Sequence, residues 1–197
     1  MKFYNYINES DDIEKIKKTL EKDCNHYLNQ LTSKNFLKKD LLVSGRKKNV
    51  DFGIGDIRKK RNPRNTENEF HEWIDGQFNK TFGIKARSQT LFCFDNVSSA
   101  TNYGAPHYIF PIGRFEVIWS KEFRDLYSTR PYMDAYGLEG YKEFFLENIL
   151  PTYIKGNLKD ALKSGNEIML YCESFQYYMM KSFNKNTHEL LSILQGE

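Results

Sequence analysis

An α+β fold, with helices flanking a core of antiparallel strands, is what this sequence predicts. Three observations lead there. Two apolar runs, Leu91-Phe92-Cys93-Phe94 and Tyr108-Ile109-Phe110-Pro111-Ile112, are rich in aromatic and β-branched residues and bounded by Asn, Ser and Gly, so they read as neighbouring buried strands rather than helices. A third run, Phe115-Glu116-Val117-Ile118-Trp119, alternates and follows a tight Gly113-Arg114 turn, which predicts antiparallel pairing with the run before it. The chain also begins with a helical pattern and then becomes mixed, the order expected of an α+β protein.

The chain has 197 residues, enough for one sizeable core and short for two, so a single domain is expected over 1–197, with a helix at 10–31 packed on a mixed core at 41–180. Hydrophobic residues make up 40% and aromatic residues 15%, which argues for a packed chain and against a disordered one. The net charge of +3 is too small to imply nucleic-acid binding by itself. Cys24, Cys93 and Cys172 are far apart, which argues against a disulfide framework or a zinc site and for a reducing compartment. The first residues, MKFYNYINESDDIEK, carry no apolar leader core, and no run reaches membrane-spanning length. A soluble, cytoplasmic protein without a membrane or metal partner is the expectation.

Each element has a local reason. Ser10 caps a helix whose first turn carries Asp11, Asp12 and Glu14, matching the positive end of the helix dipole. Ile13, Ile16, Leu20, Tyr27 and Leu31 give it one apolar face to about residue 31. Asp40-Leu41-Leu42-Val43-Ser44-Gly45-Arg46 reads as a strand ending at a glycine, and Gly53, Gly55 and Pro63 then predict a loop. Thr66 with Glu69 forms a capping box for a helix over 66–78 that turns Phe70, Trp73, Ile74 and Phe78 inward. Strands follow over 88–94, 107–112 and 115–119, separated by a polar piece, 95–104, with a helical centre and a glycine stop. Ser120 is expected to cap a short helix over 121–127, Pro131 to lie in a loop over 128–137, and helices to run over 138–149 and 154–162. Glu167 to Cys172 is a strong strand signal. Residues 175–180 are expected to be its hairpin partner or another strand of the same sheet, and Thr187 to cap a last helix through Leu194.

The densest charge is Arg58-Lys59-Lys60-Arg61-Asn62-Pro63-Arg64, just before the capped helix. Guanidinium groups match phosphate oxygens two bonds at a time, and the helix N-terminus adds to an anion site. The four histidines, His26, His71, His107 and His188, lack metal-ligand spacing, and His71, near Glu72 and Asp75, reads as a surface or satisfied residue. Gly53-Ile54-Gly55 is too little for a dinucleotide fingerprint. Glu167 is the most informative acid. It begins an otherwise apolar strand after a Gly-Asn turn, where a carboxylate faces either a cleft or water.

Three landmarks in this order resemble the ADP-ribosyltransferase superfamily, in its arginine–serine–glutamate branch that includes phage-encoded mono-ADP-ribosyltransferases. Val43-Ser44-Gly45-Arg46 resembles the first strand, although Ser44 stands where the family has arginine. Ser88 with Leu91-Phe92, and Ser98-Ser99-Ala100, resemble the serine-bearing strand and its helix. Glu167-Ile168-Met169 resembles the strand led by the catalytic glutamate. Ala100-x-x-Tyr103-Gly104 and the strand at 108–112 are also similar, so the likeness spans roughly 41–180. It implies a split antiparallel sheet core whose cleft binds NAD, and transfer of ADP-ribose to a protein or nucleic-acid acceptor, or NAD glycohydrolysis, in a host cytoplasm. Carried over by position, Arg46, with Arg58 or Arg61, holds the pyrophosphate. Ser88 orders the nicotinamide-side strand, Tyr103 or Phe92 stacks on the nicotinamide, and Glu167 is catalytic. A further expectation is geometric. The strands at 41–45, 88–94, 107–112 and 167–172 meet in one core, and Ser88, Arg46 and Glu167 share a cleft if the first strand runs antiparallel to those led by Ser88 and Glu167. The competing expectation is a non-enzymatic phage-type binding or structural protein that docks on nucleic acid or a protein through loop 58–64 and exposed Tyr132 and Tyr136.

Overall fold

A computed structural model describes residues 9–31, 41–47, 51–57 and 68–180 of the chain. The loop at 58–67, with Arg58, Arg61 and the Thr66 cap, and the helix predicted from Thr187 lie outside them. Within them the protein is mixed α and β, with two four-stranded antiparallel sheets ordered β1-β4-β8-β2 and β3-β7-β5-β6. In chain order the strands are β1 Val43–Arg46, β2 Phe52–Asp56, β3 Leu91–Cys93, β4 Ala105–Pro111, β5 Phe115–Ser120, β6 Tyr153–Lys155, β7 Ile168–Cys172 and β8 Ser174–Met179. The helices are α1 Glu9–Asp23, α2 Asn25–Leu31, α3 Asn68–Phe82, α4 Val97–Thr101, α5 Arg130–Phe144 and α6 Leu158–Ala161.

The first helical pattern is thus divided in two at Cys24, a wholly buried residue whose thiol lies 3.6 Å from the Phe110 carbonyl. Leu20, Cys24, Tyr27 and Leu31 all enter the core, so the apolar spacing survives the break. Tyr27 stands edge-on to Phe110 and Phe115, and its hydroxyl accepts from Leu42 N at 3.0 Å, which fixes the chain as it enters β1.

Two expected hairpins are corners between sheets. β4 does not pair with β5, because both of its edges are occupied, by β1 and by β8. Instead β4 and β8 pair through Pro111 and Phe175 in the first sheet, while β5 and β7 pair through Phe115 and Cys172 in the second. The four runs form one long antiparallel ribbon, bent at residues 112–114 on one arm and at Glu173 on the other. Gly113, at φ 68°, makes the corner, and its N–H donates to Asp23 O at 2.9 Å. By the same bend β8 belongs to the other sheet from β7. At their other margin the sheets meet through one bridge, Val43 to Phe94, with both hydrogen bonds at 2.8 Å. β3 and β4 are therefore not neighbours, although the four strands expected to share a core do so.

The second sheet is covered on both faces. One face, with Cys93, Val117, Trp119, Ile168 and Leu170, joins the core that includes the first sheet, α2 and α6. The other, with Ile118 and Met169, packs on Phe70, Ile74 and Phe78 of α3 and on Tyr141, Phe145 and Ile149. Burial on both sides explains why these strands read as continuous apolar runs.

Three local expectations are corrected. Ser120 accepts from Glu122 N and Phe123 N, as a cap does, but no α-helix follows, only a 3₁₀ turn at Tyr127–Thr129. Pro131 does not mark a loop. It sits in the first turn of α5, where its missing N–H costs nothing, and Gly137 at φ 69°, ψ 179° interrupts that helix. The chain continues as a π-helical turn, Phe145–Ile149, before Pro151 stops it. Ile154 lies in β6, paired with Trp119, rather than in a helix. Among the described residues no helix is long and apolar enough to cross a membrane, and no cluster of three or more His, Cys, Asp or Glu is arranged to hold a metal ion.

Candidate active site

Glu167 is 7% exposed, so the carboxylate does not simply point into water from a turn. The turn before it is built from side chains. Gly165 takes φ 74°, Ser164 Oγ accepts from Asn166 N at 3.1 Å, and Asn166 Nδ2 donates to Ser120 O at 2.8 Å. Glu167 N donates to Arg124 O at 2.6 Å, tying the irregular segment after β5 to the head of β7. Cys93 pairs with Ile168, so Phe94 and Glu167 are the next positions along β3 and β7. Tyr103 stacks on Phe94 at 5.5 Å and 21° and is 44% exposed. Arg124 is itself exposed, with Nη2 3.4 Å from Oγ of Ser99, a buried residue in the middle of α4.

Arg46 is set by close backbone packing. A Cβ on Gly45 would lie 2.1 Å from Ala100 O, and one on Gly104 would lie 2.5 Å from Arg46 O. The Gly-Arg and Tyr-Gly pairs thus press against one another. The Arg46 guanidinium lies 3.8 Å from the Tyr177 ring centroid and 5.1 Å from that of Phe175. Those rings extend over β2, where only glycine leaves them room: a Cβ would meet Tyr177 at 2.6 Å from Gly53 and Phe175 at 2.8 Å from Gly55. The Gly-Ile-Gly signal is a seat for two rings, not part of a loop. Ser44 donates from Oγ to Phe92 O at 2.8 Å.

Two buried groups register the field of these charges. Burial first, then Cys172 and Glu167, push the Cys93 thiol up, while Arg46 opposes them. The Tyr153 phenol is raised by burial and then by Glu167, with Arg87 acting the other way.

Ser88 is not on a strand. It lies in the turn between α3 and β3, 9% exposed, hydrogen-bonded to His71 Nε2 at 3.0 Å and to the Asp75 carboxylate. β3 runs antiparallel to β7, so the end of β3 that Ser88 leads into is the end of β7 remote from Glu167. The shared orientation expected of those two strands is therefore absent. Phe92 is half-buried against the α3–α5 core, so of the two rings expected to stack on a ligand Tyr103 is the more exposed. Sequence reasoning missed Arg87 and Arg124, and of its two readings of His71, surface or satisfied, the second describes the buried, hydrogen-bonded residue. The i, i+4 spacing of His71 and Asp75 was a usable signal, since it places both on one helix face. Their partner, seventeen and thirteen residues on, was not visible in the spacing.

No protein-family model, no curated protein and no solved structure matches this chain.

Proposed function

We propose that the protein is an NAD-dependent ADP-ribosyltransferase-like enzyme, and that Glu167 is its catalytic carboxylate. The observation that carries this reading is a glutamate 7% exposed at the head of a core strand, next in register to Phe94, on which Tyr103 stacks, and tied through its N–H to the Arg124 carbonyl. The donor set suits the ligand: Glu167 is a buried carboxylate, and the guanidinium groups of Arg46 and Arg124 suit phosphate oxygens. NAD supplies an N-glycosidic bond to nicotinamide that breaks with its electron pair leaving on nicotinamide, while an acceptor oxygen or nitrogen, or water, bonds to the ribose carbon and loses a proton. Glu167 contributes a fixed negative charge next to the ribose, where positive charge grows, and accepts a hydrogen bond from the 2′-hydroxyl. A carboxylate held in a water-poor site does this without reorganising. Tyr103 offers an exposed face for the nicotinamide ring, and Arg46, backed by Tyr177, holds phosphate. The test is release of labelled nicotinamide, and transfer of label from NAD to lysate acceptors, by wild type and Glu167→Gln. Activity in the wild type and its loss in the variant are expected; equal activity of both removes Glu167 from the mechanism.

A second reading, a non-enzymatic docking protein, is favoured by the outward rings of Tyr127, Tyr132 and Tyr136, which are 64%, 39% and 58% exposed. It expects steeply salt-dependent binding to single-stranded nucleic acid that weakens in Tyr132→Ala with Tyr136→Ala. Lack of binding at low salt ends it for nucleic acid.

A further inference from the structure

The loop that leads into β3 is held by a buried carboxylate on another element. Asp75 is 3% exposed on α3, and its Oδ1 accepts from Arg87 N at 2.8 Å and from Ser88 N at 3.3 Å. Its Oδ2 accepts from the Ser88 hydroxyl. That hydroxyl has one proton and gives it to Asp75, so at the 3.0 Å contact it accepts from His71 Nε2. The three residue types are those of a hydrolytic triad, but the wiring is different: the serine donates to the aspartate instead of to the histidine, and all three side chains are buried. The cluster is a clamp, not a nucleophile.

What the clamp fixes is Arg87. Ala86, the preceding residue, is wholly buried in the core that also holds Tyr141, Tyr153 and Met169, so the backbone is held from both sides of Arg87. The Arg87 side chain is half-buried, and its Nε–H is buried with no acceptor among the described residues. Its charge acts on the hydroxyls of Tyr141 and Tyr153, and Tyr153 is where the charge of Glu167 acts as well. A buried guanidinium N–H without an acceptor is costly, and an anion brought by a ligand removes that cost.

We propose that Arg87 is an anion-binding residue, taking a phosphate group of the substrate, and that His71, Asp75 and Ser88 are positioning residues that hold its backbone. The planar fork of arginine suits a phosphate group, and a charge-assisted pair in a partly buried site is stronger than one in water. The proposal rests on the reading of Glu167 given above in naming a nucleotide as substrate; the anion site itself does not depend on it.

The experiment measures binding of NAD and, separately, of inorganic pyrophosphate by calorimetry, to wild type, Arg87→Gln and Arg87→Lys, with a thermal melt of each. Loss of one charged hydrogen bond predicts about tenfold or greater weakening in Arg87→Gln. Arg87→Lys, which keeps the charge without the fork, falls between and serves if the glutamine variant does not fold. Weakening for both ligands supports the anion site and the nucleotide reading together. Pyrophosphate binding that depends on Arg87 without any NAD binding keeps the site and removes the nucleotide. Binding of both ligands by Arg87→Gln as in wild type overturns the proposal and leaves the nucleotide reading standing. No binding of either by wild type overturns both. The positioning role is read from Ser88→Ala in two backgrounds: it weakens pyrophosphate binding in wild type and adds nothing in Arg87→Gln, whereas equal losses in both overturn that role.

Discussion

Gly45→Ala is the substitution whose effect the geometry determines most directly. The added methyl would lie 2.1 Å from Ala100 O, 2.8 Å from Gly104 N and 2.9 Å from Tyr103 C. All three are backbone atoms, so no side chain can swing aside. Carbon and oxygen in contact normally stand about 3.3–3.6 Å apart, so the strand or the end of α4 must move by more than about 1 Å. Neither is loose. α4 is capped by Asn96, which accepts from Ser99 N at 2.8 Å, and β1 is paired to β4 from Val43 to Arg46. Overpacking of a tight core costs about 1–3 kcal/mol, and a clash with backbone on two sides belongs at or above the upper end. A loss of about 3 kcal/mol corresponds to roughly 6–12 °C in melting temperature for a domain of this size. Urea unfolding followed by circular dichroism measures it, with Gly76→Ala as the internal control. Gly76 lies inside α3 with nothing within 4 Å of its added methyl, so that change is expected to stabilise by about 0.5–1 kcal/mol. A Gly45→Ala loss below about 1 kcal/mol would refute the close approach of β1 and α4, and with it the account of how Arg46 is placed.

Burial pushes the thiols of Cys24 and Cys172 up to about 12, with Asp23 adding at the first and Cys24 at the second. Native protein at pH 8 should therefore resist a thiol reagent that labels the unfolded chain fully. The linkage has the matching sign: the folded thiols hold their protons where unfolded ones lose them, so stability is full below about pH 8.5 and falls as pH rises from there towards 12, by roughly 1.4 kcal/mol per unit for each thiol. Rising stability over that range would contradict the burial. Tyr177→Leu removes the ring beneath Arg46 and should cost about 1–2 kcal/mol more than Tyr177→Phe, measured by the same unfolding; equal costs would show that the stacking contributes nothing. Thr129→Val removes the buried partner of the Tyr141 hydroxyl and should destabilise by about 1–3 kcal/mol, which a thermal melt resolves.

Local chemistry in the chain determined most of the elements. Apolar runs bounded by turn residues located β3, β4, β5 and β7, and spacing located α3 and the buried face of α1 and α2, because those signals depend only on near neighbours. Which strands pair was not local. The Gly113 turn is as well suited to a hairpin as to a corner, and only the occupancy of both edges of β4 by β1 and β8 decides for the corner. Pro131 shows the same limit, since the residue that ends one helix is welcome in the first turn of another. At the candidate site, the strand led by Glu167 was legible in sequence, but its burial was not, because it arises from Asn166 reaching Ser120 and from Arg124 crossing the head of the strand. Ser88 was legible as a polar residue before an apolar run. That it is held by Asp75 and His71, away from the end of β7 that Glu167 occupies, was decided by the antiparallel register of β3 on β7 and by a helix thirteen residues upstream. A hydrogen bond between residues so far apart in sequence leaves no periodicity to read, and only the packing of α3 against the second sheet brings the two together.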